Sequence, residues 1–161
     1  MHLFSRERCC CFTGHRPEKL RADEGTVRSL LGAAIDKAMA DGYDTFISGM
    51  ARGVDQWAAE LVLARRDAGQ PVRLIAALPC PVKERGNGKA RGTHLAELIN
   101  RADAVEVISP CYHRGCFHKR NAWMIDHASR LIAVYGGCAG GTGDTIARAE
   151  RAGLEIVEIS L

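Results

Sequence analysis

Short apolar runs alternate with longer amphipathic stretches along this chain. Cys9 to Thr13 is too brief for a helix and predicts a first strand. Between Glu24 and Ala40, the residues Val27, Leu30, Leu31, Ala34, Ile35 and Ala38 recur at helical three-and-four spacing. They predict a helix with one apolar face, which Gly42 stops, because glycine accepts the left-handed conformation past a helix end. Thr45 to Ser48 reads as the second strand. Val54, Trp57, Ala58, Leu61 and Ala64 mark a second helix that stops near Gly69-Gln70-Pro71. Val72 to Ala77 reads as the third strand, followed by a polar loop and a helix around His94 to Asn100. Ala104 to Ser109 is the fourth strand, Phe117 to Ala128 a helix, and Leu131 to Tyr135 the fifth strand. A last helix runs from about Gly143 to Ala152, with Gly153 as its stop, before a sixth strand at Glu155 to Ile159.

Strands that alternate with helices imply right-handed crossovers and a parallel sheet covered on both faces. The expected fold is therefore α/β: a Rossmann-like three-layer domain with a mostly parallel six-stranded sheet, taking residues 1–161 as one domain. A strand order of 3-2-1-4-5-6 puts the switch in direction between the first and fourth strands. The loops at Gly14 and Ser109 then face each other across the crevice. Trp57 and Trp123 fall at helical positions and are expected to pack on the sheet. Trp123 has a second reading, stacking on a base.

Composition narrows the classes. The 161 residues are enough to bury a core without disulfides or metals. The chain is 47% hydrophobic and 25% charged, which is globular rather than disordered. Lysine and arginine total 22 against 19 acidic residues, and the resulting +3 is too weak to imply duplex nucleic acid by charge alone. The apolar runs are far shorter than the roughly 20 residues of a membrane span. The stretch Met1 to Arg8 lacks the apolar centre of a signal peptide, so a cytoplasmic location is expected. The seven cysteines are odd in number and include three in a row, a poor disulfide framework, so Cys9, Cys10 and Cys11 read as small core residues. Cys111, His113, Cys116 and His118 are spaced C-x-H-x2-C-x-H, unlike the ligand pairs of structural zinc, and neither metal nor cofactor is expected. Lys83 to Arg91 reads as a solvated loop, with a lid as its functional alternative.

The unusual residues gather just after the strands. Gly14, His15 and Arg16 follow the first. Ser48, Gly49, Met50, Arg52, Gly53 and Asp55 follow the second. Pro79-Cys80-Pro81 follows the third and Ser109 the fourth. Gly140, Gly141, Thr142, Asp144 and Thr145 follow the fifth. In an open parallel sheet these loops share one edge, where ligands bind. Glycine there lets backbone approach a ligand, and free amides at a helix start favour an anion such as phosphate. Arg16, Arg52 and Arg120 can add charge-assisted hydrogen bonds. The usual dinucleotide fingerprint is absent, since Gly14 is followed by His15-Arg16-Pro17.

Cys11 to Leu20 resembles the opening of the YpsA-like family within the SLOG superfamily. The similarity continues through Phe46 to Asp55 and Trp57 to Glu60, and resumes at Tyr112 to Cys116, His118 to Asn121, Asp126-His127 and Gly140 to Thr142. It thus covers nearly the whole chain in order. The resemblance implies a Rossmann-like fold and a nucleotide or nucleotide-derived ligand, but no settled activity. Ser48 to Asp55 is similar to a segment of DNA-processing protein A, which binds single-stranded DNA. The Lonely Guy phosphoribohydrolases carry an Arg-Lys-x-x-Met segment, which Arg120-Asn121-Ala122-Trp123-Met124 matches at its arginine and methionine. Their glycine loop ends on a catalytic glutamate where Thr145 stands here. A threonine cannot do a carboxylate's acid–base work.

Three functions follow as expectations. The first is a sensor or carrier module that binds a nucleotide-like small molecule through Gly14, His15, Arg16, Ser48, Gly49, Met50, Arg52, Gly53, Asp55, Ser109, Arg120, Asn121, Gly140, Gly141, Thr142 and Thr145. The second is a nucleoside 5′-monophosphate phosphoribohydrolase with a displaced carboxylate, for which Asp144, Asp55 and Asp126 are the candidates. The third and weakest is single-stranded DNA binding, so nucleic acid is not the expected partner. No membrane partner is expected, and a homodimer is expected only by analogy with relatives.

Overall fold

In the computed structural model, which describes residues 4–82, 93–136 and 140–161, the apolar runs become strands feeding two separate cores. The strands are β1 (Cys9–Gly14), β2 (Thr45–Ser48), β3 (Arg73–Leu78), β4 (Ala104–Val107), β5 (Arg130–Tyr135) and β6 (Glu155–Ser160). The helices are α1 (Glu24–Ala40), α2 (Val54–Asp67), α3 (Thr93–Arg101), α4 (Cys116–Asp126) and α5 (Gly141–Arg151). Asp23 caps α1 by accepting the Thr26 amide at 2.7 Å. Beyond its end, Gly42 takes a φ of 101°, a conformation that L side chains resist.

Among the described residues, six strands form one sheet, and all five pairings are parallel. Side chains alternate across it. Cys10 and Phe12 join Val27, Leu31 and Ile35 of α1 and Val62 and Leu63 of α2, with Leu98 of α3 in the same cluster. Cys9 and Cys11 turn to the other face and join Met124 and Ile125 of α4 and Ile146 and Ala149 of α5. This is the expected three-layer α/β arrangement, with α1 to α3 on one face and α4 and α5 on the other. The three cysteines are fully buried, and burial pushes the Cys9 thiol up to about 12, so they act as core filling.

The strand order differs from the expected one. It runs β4-β3-β2-β1-β5-β6, so β4 lies at the edge beside β3 and not beside β1. The chain keeps stepping in one direction through β4, and α4 then carries it back across the second face to β5. The switch therefore lies between β1 and β5, and the Gly14 and Ser109 loops do not face each other. Several boundaries also move by one or two residues, among them the end of α4 at Asp126 rather than Ala128. The fourth strand stops at Val107, two residues short of Ser109, and α5 begins at Gly141 rather than Gly143.

Trp57 packs on the first core and Trp123 on the second, and Trp123 stacks on His127 with ring centroids 4.1 Å apart. Cys111 and His118 are exposed while Cys116 is buried, and among the described residues no three potential metal ligands gather. No helix among them is long and apolar enough to cross a membrane. The Lys83 to Arg91 loop lies outside the described residues.

Candidate functional site

The edge of the sheet where β1 and β5 part is built by close approaches. A side chain on Gly14 would put its Cβ 2.6 Å from Val54, so only glycine lets β1 end against the start of α2. The His15 amide donates to the Val134 carbonyl at 3.3 Å, closing the ladder between β1 and β5. The His15 ring is buried beside Tyr135, with centroids 5.2 Å apart. Burial, with Lys19 nearby, pushes its pKa down, so the ring is neutral at pH 7. Its Nε2 is buried and has no hydrogen-bond partner among the described residues.

The turn after β2 is locked internally. The Ser48 hydroxyl accepts the Met50 amide at 3.1 Å and donates to the Asp55 carbonyl at 2.8 Å. Gln56 Nε2 donates to the Met50 carbonyl at 3.1 Å. These bonds hold Met50 at a φ of 59°, the only non-glycine residue with positive φ among those described. Gly53 caps α2 at a φ of 95°, where a Cβ would meet the Pro17 ring at 2.7 Å.

Gly49 brings two opposite charges to one point. A Cβ there would lie 2.8 Å from Arg120 Nη1 and 2.9 Å from Asp55 Oδ2. Arg120 comes from α4, is buried, and donates from Nη1 to the Gly49 carbonyl at 2.6 Å and from Nε to Asn121 Oδ1 at 2.8 Å. Burial lowers its pKa, and Asp55 opposes that effect. Asp55, in the first turn of α2, is also buried. Desolvation raises its carboxyl to about 6, against the pull of Arg120, the Ala51 amide and Arg16.

These residues line a cleft of about 270 Å³ at the β1/β5 switch. Gly14, His15 and Arg16 supply one wall, Arg52 and Asp55 the second, Arg120 and Asn121 the third, and Gly140 to Thr142 the fourth. Arg52 is exposed and ion-paired with Glu18. Gly49 and Met50 line an adjoining hollow, Ser48 braces the turn and Gly53 caps the helix. Ser109 lies outside the cleft, at the end of β4, bonded to His113 Nε2 at 3.0 Å. Thr145 is buried and donates its hydroxyl to the Gly141 carbonyl at 2.8 Å. It lines a separate hollow between α4 and α5 together with Asp144. Asp126 is exposed at the last turn of α4. Of the three candidate carboxylates, only Asp55 lines the cleft. Trp123 does not line it either.

Lys19 and Phe117 line the cleft without having been expected there. Lys19 closes the 3-10 turn Pro17–Lys19, and the proline after Arg16 was its one local signal. Phe117 is a half-exposed aromatic in the first turn of α4. A hollow of about 510 Å³, larger than the cleft, lies at the opposite end of the strands, between Arg8, Tyr43 and Pro71. Its described lining holds the end of α1 with Gly42 and the carboxylates of Asp36 and Asp44, but no helix start to receive an anion, so size does not identify the site.

A family model described as the YspA SLOG family matches residues 10–150. Two curated relatives are similar in sequence. One is a UPF0398 protein of Levilactobacillus brevis, 31% identical over 127 residues, covering 76% of this chain and 64% of that protein. The other is a UPF0398 protein of Shouchella clausii, 29% identical over 98 residues, covering 59% of this chain and 52% of that protein. The chain thus spans less than two thirds of the length of either relative. Among solved structures, DNA processing protein A of Streptococcus pneumoniae superposes with a TM-score of 0.63 at 15% identity, over 93% of this chain and 49% of that one. DNA processing protein A of Helicobacter pylori, whose structure addresses its single-stranded DNA binding mode, gives 0.64 at 15% identity, over 94% and 64%. At that identity the likeness establishes the fold alone.

Proposed function

Because the chain belongs to the YspA SLOG family, we propose that it is a binding module whose cleft takes a nucleotide or nucleotide-derived phosphorylated ligand, as a sensor or carrier. The observation that carries this reading is the buried Arg120 guanidinium in the same cleft as the glycine-opened start of α5. A helix start offers free amides and the positive end of its dipole to an anion. His15 supports the same reading, because its buried Nε2 has no hydrogen-bond partner among the described residues and the residue lines the cleft. Asp55 repels a phosphate, so the phosphate belongs on the Gly140–Thr142 side, with Asp55 accepting from sugar hydroxyls. The test is calorimetry with AMP, GMP, ADP-ribose and NAD on the wild type and Arg120→Ala. At least one ligand should bind, and the variant should lose about tenfold or more in affinity, since a hydrogen bond from a charged group contributes about 1.5–3 kcal/mol. No heat from any of them at millimolar ligand contradicts the reading.

Single-stranded DNA is the second reading. It is supported by the likeness to the Helicobacter pylori protein, which weighs against setting nucleic acid aside on a net charge of +3. An oligo-dT titration in the same experiment separates the two. Tight, salt-sensitive DNA binding beside silent nucleotides favours DNA.

A further inference from the structure

A second hollow of about 200 Å³ opens off the cleft and shares Arg16, Ala51, Phe117 and Arg120 with it. Its other walls are of a different character: Met50, Leu78, Pro79, Pro81, Val82 and Leu95. Several are held in place rather than merely nearby. Met50 is fixed in its left-handed backbone by Gln56 and Ser48. Pro79 and Pro81 follow directly on β3, and Leu78 is buried at its end. Phe117 remains 45% exposed and Val82 49% exposed. Phe117 meets Tyr112 edge-on at 6.4 Å, and the Arg120 guanidinium lies 5.7 Å from its ring centre.

We propose that this hollow seats the base of a purine nucleotide whose phosphate occupies the adjoining cleft. The inference rests on the nucleotide reading above and adds where the base goes and which bases fit. Arg16 and Arg120 stand at the seam, so an occupant of both spaces is anionic on one side and apolar on the other. The two volumes together fall within the range of about 300–1,000 Å³ usual for small-ligand sites. Among the described residues, no carboxylate lines the hollow, and the polar side chains there are the two arginines and Cys80. Nothing among these side chains accepts strongly from an exocyclic amine. The base is therefore held by surface contact with Phe117, Met50 and the prolines, and its edges are not read by acidic groups. Contact of that kind rewards ring area and tolerates substituents, so purines outrank pyrimidines and adenine is barely distinguished from guanine.

The experiment is calorimetry with AMP, GMP, UMP and ribose 5-phosphate on the wild type, Phe117→Ala and Phe117→Leu. AMP and GMP should bind within about threefold of each other and at least about tenfold tighter than ribose 5-phosphate, a gap of about 1.4 kcal/mol. UMP should fall between. Phe117→Ala should bring the ratio of AMP to ribose 5-phosphate affinity close to one, a ratio that cancels any loss the two ligands share through the cleft that Phe117 also lines. Phe117→Leu, which keeps bulk but not the ring, should be intermediate. Phe117 is half exposed, so both variants are expected to fold. Equal affinity for AMP and ribose 5-phosphate overturns the base site and leaves the anion cleft standing. Silence from every ligand overturns both.

Discussion

Asp55 is buried where its own charge is costly. Desolvation raises its carboxyl from 3.8 to about 6, although Arg120, the Ala51 amide and Arg16 all favour the ionised form. The folded state therefore holds a proton that the unfolded chain releases between pH 4 and 6. A raised acid stabilises the fold below its unfolded pKa, and that stabilisation is lost as pH rises through the folded value. Relative to acid, the fold should give up on the order of 3 kcal/mol at this site by neutral pH. Asp55→Asn removes the titration. Urea unfolding at pH 4, 5, 6 and 7 should show the variant gaining on the wild type across that window and levelling off above it. Parallel profiles would mean that Asp55 titrates normally. Exposed carboxylates with lowered pKa values, Asp36 and Asp67 among them, act in the opposite sense, but they cancel in the difference. The sequence marked Asp55 because it follows the glycine loop after the second strand, and Arg120 as a candidate anion-binding arginine that matches the Arg-Lys-x-x-Met segment. It did not reveal that Gly49 presses the two against one backbone atom group, because that depends on α4 returning over the second face.

At the scale of elements, helix limits were legible where local chemistry sets them. The α1 helix runs from Glu24 to Ala40 as its apolar spacing predicts, with Asp23 before it and Gly42 after it. Strand order was not legible from periodicity, but composition held a signal. The inner strands read as unbroken apolar runs, such as Leu74 to Leu78 and Leu131 to Val134, whereas β4 and β6 carry glutamates at Glu106, Glu155 and Glu158. Charge within a strand marks an edge, so Glu106 argued against placing the fourth strand between the first and fifth. Close packing between elements yields a further prediction. Gly14→Ala drives a Cβ into Val54 at the β1–α2 contact, where overpacking costs about 1–3 kcal/mol. Gly25→Ala lies in the exposed first turn of α1 with only Asp23 Oδ1 near, 3.7 Å away, and should be neutral or stabilising by up to about 1 kcal/mol. Scanning calorimetry should show Tm falling by several degrees for the first and holding or rising for the second. An unchanged Tm for Gly14→Ala would mean that the contact with Val54 yields at little cost.

For the whole molecule, one-directional crossovers bring the loops after β1, β2 and β5 and the start of α4 to one edge. That convergence gives the cleft its arginines but, among the described residues, only one carboxylate. Thr145 spends its hydroxyl on Gly141 and Asp144 faces another hollow. Little phosphoribohydrolase activity is therefore expected, since a missing acid or base costs about 10²–10⁴-fold. Chromatography of AMP, GMP, CMP and UMP after hours of incubation should show almost no free base. Robust release that disappears in Asp55→Asn would instead make Asp55 the displaced carboxylate. The most direct test of the central claim is an amide chemical-shift map of the ¹⁵N-labelled protein titrated with AMP. The shifts should concentrate at Gly14 to Arg16, Ala51 to Asp55, Arg120 and Gly141-Thr142. Shifts at Arg8, Tyr43 and Gln70, around the larger hollow at the far end of the strands, or no shifts at millimolar AMP, would contradict it.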